Sequence, residues 1–392
     1  MFMKKPPVTA TGEILFSAGE VSYEHVRELG EGARGERLLL ARTHRKGRVG
    51  EQVVLKAVPP QAELKVRRRL EEEARMATRL SHPAIARLYA LHEHAGTLYA
   101  VTEYVEGDSV DSVFNDALLC GRYCSEPFVL SVAAEVASAL HHAHTLTDAK
   151  GASLGIIHRG LHPERIRIGP QGEVKLMDFG LSRSLLTGRQ TSSLPRMGGR
   201  GVYSSPEQIL RQPMDGRSDL FALGLVMLEL LTGQHLLWLL EDVDLRRLGQ
   251  DLAALPPETL AAVDEFVEEL GRRQQTLAGE ELAQLIHRAR SLGFEDVERV
   301  AREVPEPTRF ILHKLLRPEP AERYATAATL ERALRERLRA LGHHGAPDVA
   351  EEVFQIKAEA AGFARERLLP PLLEAATPDV TALDPDQIST QP

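Results

Sequence analysis

With 392 residues, the chain is long enough for one two-lobed domain with extensions, and 48 basic against 56 acidic residues leave a net charge of −8 with no basic stripe for nucleic acid. Its two cysteines, Cys120 and Cys124, can share one side of a helix, yet two thiols with no histidine nearby make a poor metal site, and the simple reading is a reduced cytoplasmic protein. The opening MFMKKPPVTA lacks the apolar core of a signal peptide, and no apolar run reaches the roughly 20 residues of a membrane span.

In chain order, YEHVREL (23–29) and RLLLAR (37–42) read as strands around LGEGARG (29–35), which carries Gly30, Gly32 and Gly35 at Gly-x-Gly-x-x-Gly spacing. Alone, such a loop is an ordinary turn more often than a phosphate cradle. VVLK (53–56) is a strand that ends in Lys56, and LEEEARMATRLSHPAI (70–85) reads as a helix running into a turn. TEYVEG (102–107) follows the strand-rich part. LTDAKGASL (146–154) reads as a polar hairpin or surface loop. The segments HRGLHPER (158–165), KLMDFGLS (175–182), VYSSPEQ (202–208), SDLFALG (218–224) and PEPAERY (318–324) then follow in order.

Between Gly233 and Pro305, LLWLLEDVDLRRLGQDLAAL, TLAAVDEFVEELGRR and ELAQLIHRARSLG place apolar residues at helical spacing. Extra helices packing on their own lobe are the expected outcome, with Trp238 in the core; a partner surface is the alternative. GHHGAP (342–347) is a linker signal. After it, DVAEEVFQIKAEAAGFARERLL (348–369) sets Val349, Val353, Phe354, Ile356, Phe363 and Leu368 on a helical pattern that Pro370 and Pro371 stop. Such a helix needs a groove, either on its own domain or on another protein. The terminal LDPDQISTQP reads as a disordered end.

Taken together over residues 23–337, these segments resemble the ordered signatures of the eukaryotic-like, bacterial serine/threonine protein kinases. The resemblance implies an α+β, bilobal kinase-like fold: an N-terminal extension (1–20), a small β-rich lobe (21–104), a large helical lobe (105–341) with a helical insertion (234–304), and a linker, helix and disordered tail (342–392). It implies that Gly30, Gly32 and Gly35 cover phosphates, that Lys56 grips them with Glu73 as its partner, and that Thr102 is the gatekeeper of a hinge whose Glu103 and Val105 backbone meets adenine. Asp178 would hold magnesium. His158, Arg159, Phe179, Asp219 and the pair Glu207 and Arg323 would be structural supports.

The departures from the family matter more. Its catalytic loop reads His-Arg-Asp followed four residues later by Asn; here the Asp position is Gly160 and the Asn position is Arg165. Glycine offers no carboxylate to the substrate hydroxyl, a role worth about 10²- to 10⁴-fold. His162 stands where a phosphate-touching Lys is usual and is the one candidate for a surrogate base. Arg165 puts a fixed positive charge where a metal ligand belongs, and Asp178 can pair with it instead of with metal. In the purine sandwich the equivalent residues are Val54 and Arg167, with Leu38 as the other roof member; all disfavour ordinary ATP binding except Leu38. Arg200 replaces a Thr that supports the catalytic loop, while Arg159 remains beside Thr187, Thr191, Ser192 and Ser193 as a possible phosphate receiver. The expectation is a cytoplasmic pseudokinase that binds another signalling protein, such as an active kinase, as scaffold or allosteric regulator. ATP and magnesium are expected to bind weakly or not at all. The alternatives are a weak serine/threonine kinase using Asp178-bound magnesium, and a sensor of another anionic ligand drawn by Lys56, Arg165 and Arg167.

Overall fold

The computed structural model describes residues 12–31, 36–60, 67–68, 70–71, 74, 77–179, 201–237, 276–342 and 344–368. The first lobe is built on alternation: along strand β4 (Arg48–Val58), Val53, Leu55 and Ala57 are buried on one face while Val54 and Lys56 lie on the other, as a period of two requires. With β1 (Ile14–Ala18), β2 (Val21–Glu31), β3 (Arg37–Arg45), β5 (Leu88–His94) and β6 (Thr97–Glu103), it forms an antiparallel sheet in the order β1-β2-β3-β4-β6-β5. The N-terminal extension expected over residues 1–20 carries a strand, since β1 pairs along the edge of β2. Its Phe16 stacks between Tyr23 and Tyr99 at centroid distances of 4.6 and 4.5 Å, which seals that face. Described residues between 67 and 77 are helical and end in a turn.

Beyond the hinge, β7 (Asp108–Ser109), β8 (Ile166–Ile168) and β9 (Val174–Leu176) form a small second sheet. Gly107 lets the chain pass this sheet, because its φ is +103° and an added Cβ would lie 2.1 Å from the Ile168 carbonyl oxygen. Helix α1 (Val110–Leu119) and helix α2 (Glu126–Thr145) start at Ser109 and Ser125, whose hydroxyls accept from the main chain three residues on. The two cysteines do not share a helix face. Cys120 caps the end of α1 and Cys124 is buried in the turn before α2, where burial pushes its thiol up to about 12. The segment at 146–154 is a hairpin in which Thr147 bridges Ser153 and Asp148 accepts from the Ala152 main chain at 2.9 Å.

The centre of the large lobe is α4 (Arg217–Thr232), which follows the short α3 (Pro206–Ile209) and is buried along most of its length because neighbours surround it. Of the insertion, α5 (Thr276–Ser291) and α6 (Phe294–Ala301) are described, and Leu285, Ile286, Ala289, Val297 and Val300 join the main core. This part packs on its own lobe; Trp238 lies outside the described residues. Helices α7 (Glu306–Leu315) and α8 (Ala327–Leu341) complete the lobe.

The tail helix α9 (Ala346–Leu368) docks on its own chain. Val349 and Ile356 are part of the main core, and Phe354, which the apolar pattern grouped with them, is instead 70% exposed. Three polar anchors hold it: Glu352 accepts from the Ser125 main chain at 2.8 Å, Arg122 pairs with Glu359 at 3.0 Å, and Lys357 pairs with Asp108 at 2.6 Å. Gly172 makes room, since a Cβ there would meet the Ala346 carbonyl oxygen at 1.7 Å.

Candidate active-site cleft

The cleft between the lobes is floored by the loop from His158 to Arg165, which Asp219 of α4 holds. The Asp219 carboxylate accepts the main-chain N–H of His158 and of Arg159 at 2.8 Å each, and pairs with His144 at 2.8 Å. Burial alone would raise the Asp219 carboxyl, but these donors hold it below the usual carboxylate range. Arg159 and Asp178 both take a left-handed backbone, with φ of 62° and 56°, a conformation that costs about 1–3 kcal/mol and persists only where the surroundings impose it. The His158 ring is fully buried, bonds the Met177 carbonyl at 3.0 Å and meets Phe179 edge-on at 4.8 Å. Burial lowers the pKa of this imidazole. Further from the cleft, Arg323 grips Glu207 at 2.7 and 2.8 Å in a nearly dry pocket, and Ser218 adds a third bond at 2.5 Å. Burial opposes the Glu207 charge, yet Arg323 and Ser218 keep its pKa below normal.

At the mouth of this frame, Gly160 offers only its main chain. The Asp178 carboxylate has each oxygen on a cation: Oδ1 meets the Lys56 ammonium, and Oδ2 lies 3.1 Å from Arg165 Nη1. Arg165 Nη1 also donates to the Asp178 main-chain oxygen at 3.1 Å, and its Nε donates to His162 Nε2 at 3.1 Å. Burial would raise the Asp178 carboxyl, but Lys56 and Arg165 hold it well below the usual range. The nitrogen of His162 that accepts from Arg165 has no free lone pair for a substrate proton, so it is not available as a base.

The purine end is altered as well. Arg167 does not lie loose under the cleft; its Nε donates to the Val105 carbonyl at 3.1 Å and its Nη2 to the Gly107 carbonyl, which ties the floor to the hinge. The register pairs Leu38 with Lys56 and Leu40 with Val54, so these side chains share the cleft face, while Arg37 turns to Glu28 at 3.0 Å. Thr102 donates to the Val54 carbonyl at 3.2 Å. Glu103 accepts from the Arg87 main chain at 2.9 Å and pairs with Lys175 at 2.8 Å. Gly30 ends β2 with φ of 120°. Gly32, Gly35, Glu73, Thr187, Thr191, Ser192, Ser193 and Arg200 lie outside the described residues. The motifs gave no sign of Lys175 or His144, which bind through pairings that only the fold creates.

The residues at this place do not fit a magnesium ion. Magnesium wants carboxylate oxygens in an octahedral shell. Here both oxygens of Asp178 face cations, and the second ligand position is an arginine. Among the described residues no group of three or more His, Cys, Asp or Glu is placed to hold a metal.

Comparison with known proteins agrees with the architecture. Tyrosine-protein kinase MasK of Myxococcus xanthus is 32% identical over 235 residues, which cover 58% of this chain and 35% of that protein. Serine/threonine-protein kinase PknB of Mycolicibacterium smegmatis is 37% identical over 172 residues, 42% of this chain and 25% of that one. The chain thus spans well under half the length of these relatives. The kinase domain of PknI from Mycobacterium tuberculosis shares the fold, with a TM-score of 0.53 at 21% identity over 84% of this chain and 100% of that chain. Among the described residues no helix is long and apolar enough to cross a membrane. Residues 23–334 match the family described as Protein kinase domain, and with the two lobes, the hinge and the Asp219-anchored loop in place, the chain belongs to that family.

Proposed function

We propose that this chain is a protein-kinase-like signalling protein that works by binding and not by phosphotransfer: a pseudokinase acting as scaffold or allosteric regulator of another signalling protein, such as an active kinase. Its relatives are named as kinases, and the family uses ATP with magnesium. The reading rests on one observation: the only metal-binding carboxylate the family pattern leaves, Asp178, is engaged on one oxygen by Lys56 and on the other by Arg165, in a loop where Gly160 replaces the base. A cation in the metal's place repels magnesium, and without metal or base the transferring phosphate has neither charge neutralisation nor an activated acceptor. Nucleotide binding with magnesium is therefore weak or absent. The intact supports, Asp219 with the loop and Glu207 with Arg323, support a surface kept for recognition after the chemistry was lost.

The test is phosphate incorporation into the protein itself and into generic protein substrates, with Lys56→Met as control. Equal incorporation in both supports the reading. Incorporation that disappears in the control overturns it and returns the chain to the active kinases.

A further inference from the structure

The arginine that displaces the metal also leaves a set of donors facing the cleft. A guanidinium has five N–H donors and an ammonium three. Arg165 spends Nη1 on Asp178, donating to its main-chain oxygen and lying 3.1 Å from its carboxylate, and spends Nε on His162, while Nη2 has no partner among the described residues. Lys56 commits one donor to Asp178 and has no other partner among the described residues. Neither group is sealed off: the side chains retain 12% and 19% of their surface, and neither nitrogen is among the buried atoms that lack a partner. Among the described residues these two cations share the one Asp178 carboxylate, beside the unspent Nη2 donors. Being pinned to Asp178 and His162, the guanidinium is held in one orientation before any ligand arrives, which reduces the ordering cost of binding.

We propose that Lys56 and Arg165 form a metal-independent site for the phosphate groups of a polyphosphorylated ligand, with the Arg165 guanidinium supplying the charge that a magnesium ion supplies elsewhere in the family. This rests on the reading of the cleft as non-catalytic and adds to it the chemistry of a ligand. Phosphate oxygens accept from Nη2 and from Nζ, and both contacts are charge-assisted, the stronger kind of hydrogen bond. A magnesium ion already wrapped in phosphate oxygens brings a divalent charge toward Arg165 and withdraws the acceptors that the site needs. Metal therefore opposes binding. The phosphates can come from a nucleotide or from a free polyphosphate chain. Arg167, fixed on the hinge carbonyls, decides how much a purine adds.

The experiment is calorimetric titration of the full chain with ATP and with tripolyphosphate, each in excess EDTA and in excess magnesium. The expected result is binding in EDTA that magnesium weakens several-fold. ATP much tighter than tripolyphosphate identifies a nucleotide site, and equal affinities identify the phosphate chain as the recognised group. Arg165→Gln is expected to weaken metal-free binding by about 30-fold or more, as removing one member of a charge-assisted contact does. Binding that requires magnesium, or binding of neither compound in EDTA, overturns the proposal, and the wild-type comparison decides this even where the variant does not fold. Lys56-dependent phosphotransfer would instead contradict the function proposed above, so the two failures are distinguishable.

Discussion

Arg165 grips Asp178 twice, its Nη1 lying 3.1 Å from the side-chain Oδ2 and 3.1 Å from the main-chain oxygen. The double contact fixes the residue that the family uses for metal to the loop that the family uses for catalysis. It puts a permanent charge between them, because an arginine does not deprotonate in a protein.

Removing that charge changes the metal requirement. Arg165→Asn frees Oδ2 and supplies an amide oxygen, so magnesium with ATP is expected to stabilise the variant, by about 2.7 kcal/mol at 100 times the dissociation constant. Thermal melts with and without magnesium check this. Gly160→Asp alone is expected to bring no magnesium dependence, since Asp178 keeps both cations.

The purine end has its own test. Arg167→Leu combined with Val54→Ala rebuilds an apolar sandwich and releases the hinge carbonyls of Val105 and Gly107. Affinity for ATP relative to tripolyphosphate is expected to rise about tenfold, equivalent to 1.4 kcal/mol. An unchanged ratio would mean that Arg167 is not what excludes the ring.

The tail helix is a structural part of the large lobe. Ile356→Ala opens a cavity in the main core and is expected to cost about 2–5 kcal/mol in urea unfolding. Phe354→Asp changes an exposed residue and is expected to stay within about 0.5 kcal/mol. Truncation after Gly342 is expected to lower the melting temperature markedly, because Val349 and Ile356 leave the core and the Glu352, Lys357 and Glu359 contacts go with them.

Acid sensitivity follows from buried groups whose folded pKa is depressed. Burial lowers His158, and burial with Arg288 lowers His235 to about 3, against about 6.5 in the unfolded chain. A depressed group stabilises the fold above its unfolded pKa, and that contribution is lost as pH falls toward the folded value. Stability is therefore expected to decline from about pH 6.5 downward. Below about pH 4 a steeper loss follows, because Asp178, Glu207 and Asp219, held ionised in the fold, take up protons in the unfolded chain first. His235→Asn keeps an acceptor for the Leu237 main chain and is expected to flatten the first part of the curve, measured by urea unfolding at several pH values.

Much of the fold was legible because the signatures sit where local chemistry and tertiary role coincide. Glu207 and Arg323 were readable as a pair from short motifs, and the structure joins them; Asp219 was readable as the start of a buried helix, but its partners were not. Arg165 was readable as a cation in a metal's place, and its pairing with Asp178 follows from charge alone. What escaped the sequence depends on three-dimensional proximity. The edge strand Ile14–Ala18 carries no motif and owes its place to Phe16 stacking on Tyr23 and Tyr99. Helical spacing grouped Phe354 with Val349 and Ile356, but the docking stripe is narrower than the apolar pattern and leaves Phe354 outside it. Arg167 turns to the carbonyls of Val105 and Gly107, a proximity that no spacing reveals.

Loss of phosphotransfer is measured by a single-turnover experiment with the protein in excess over γ-labelled ATP and magnesium, so that even one transfer per molecule is seen. No label on protein and no release above the Lys56→Met background is expected over hours. Label that accumulates in wild type and not in Lys56→Met would contradict it.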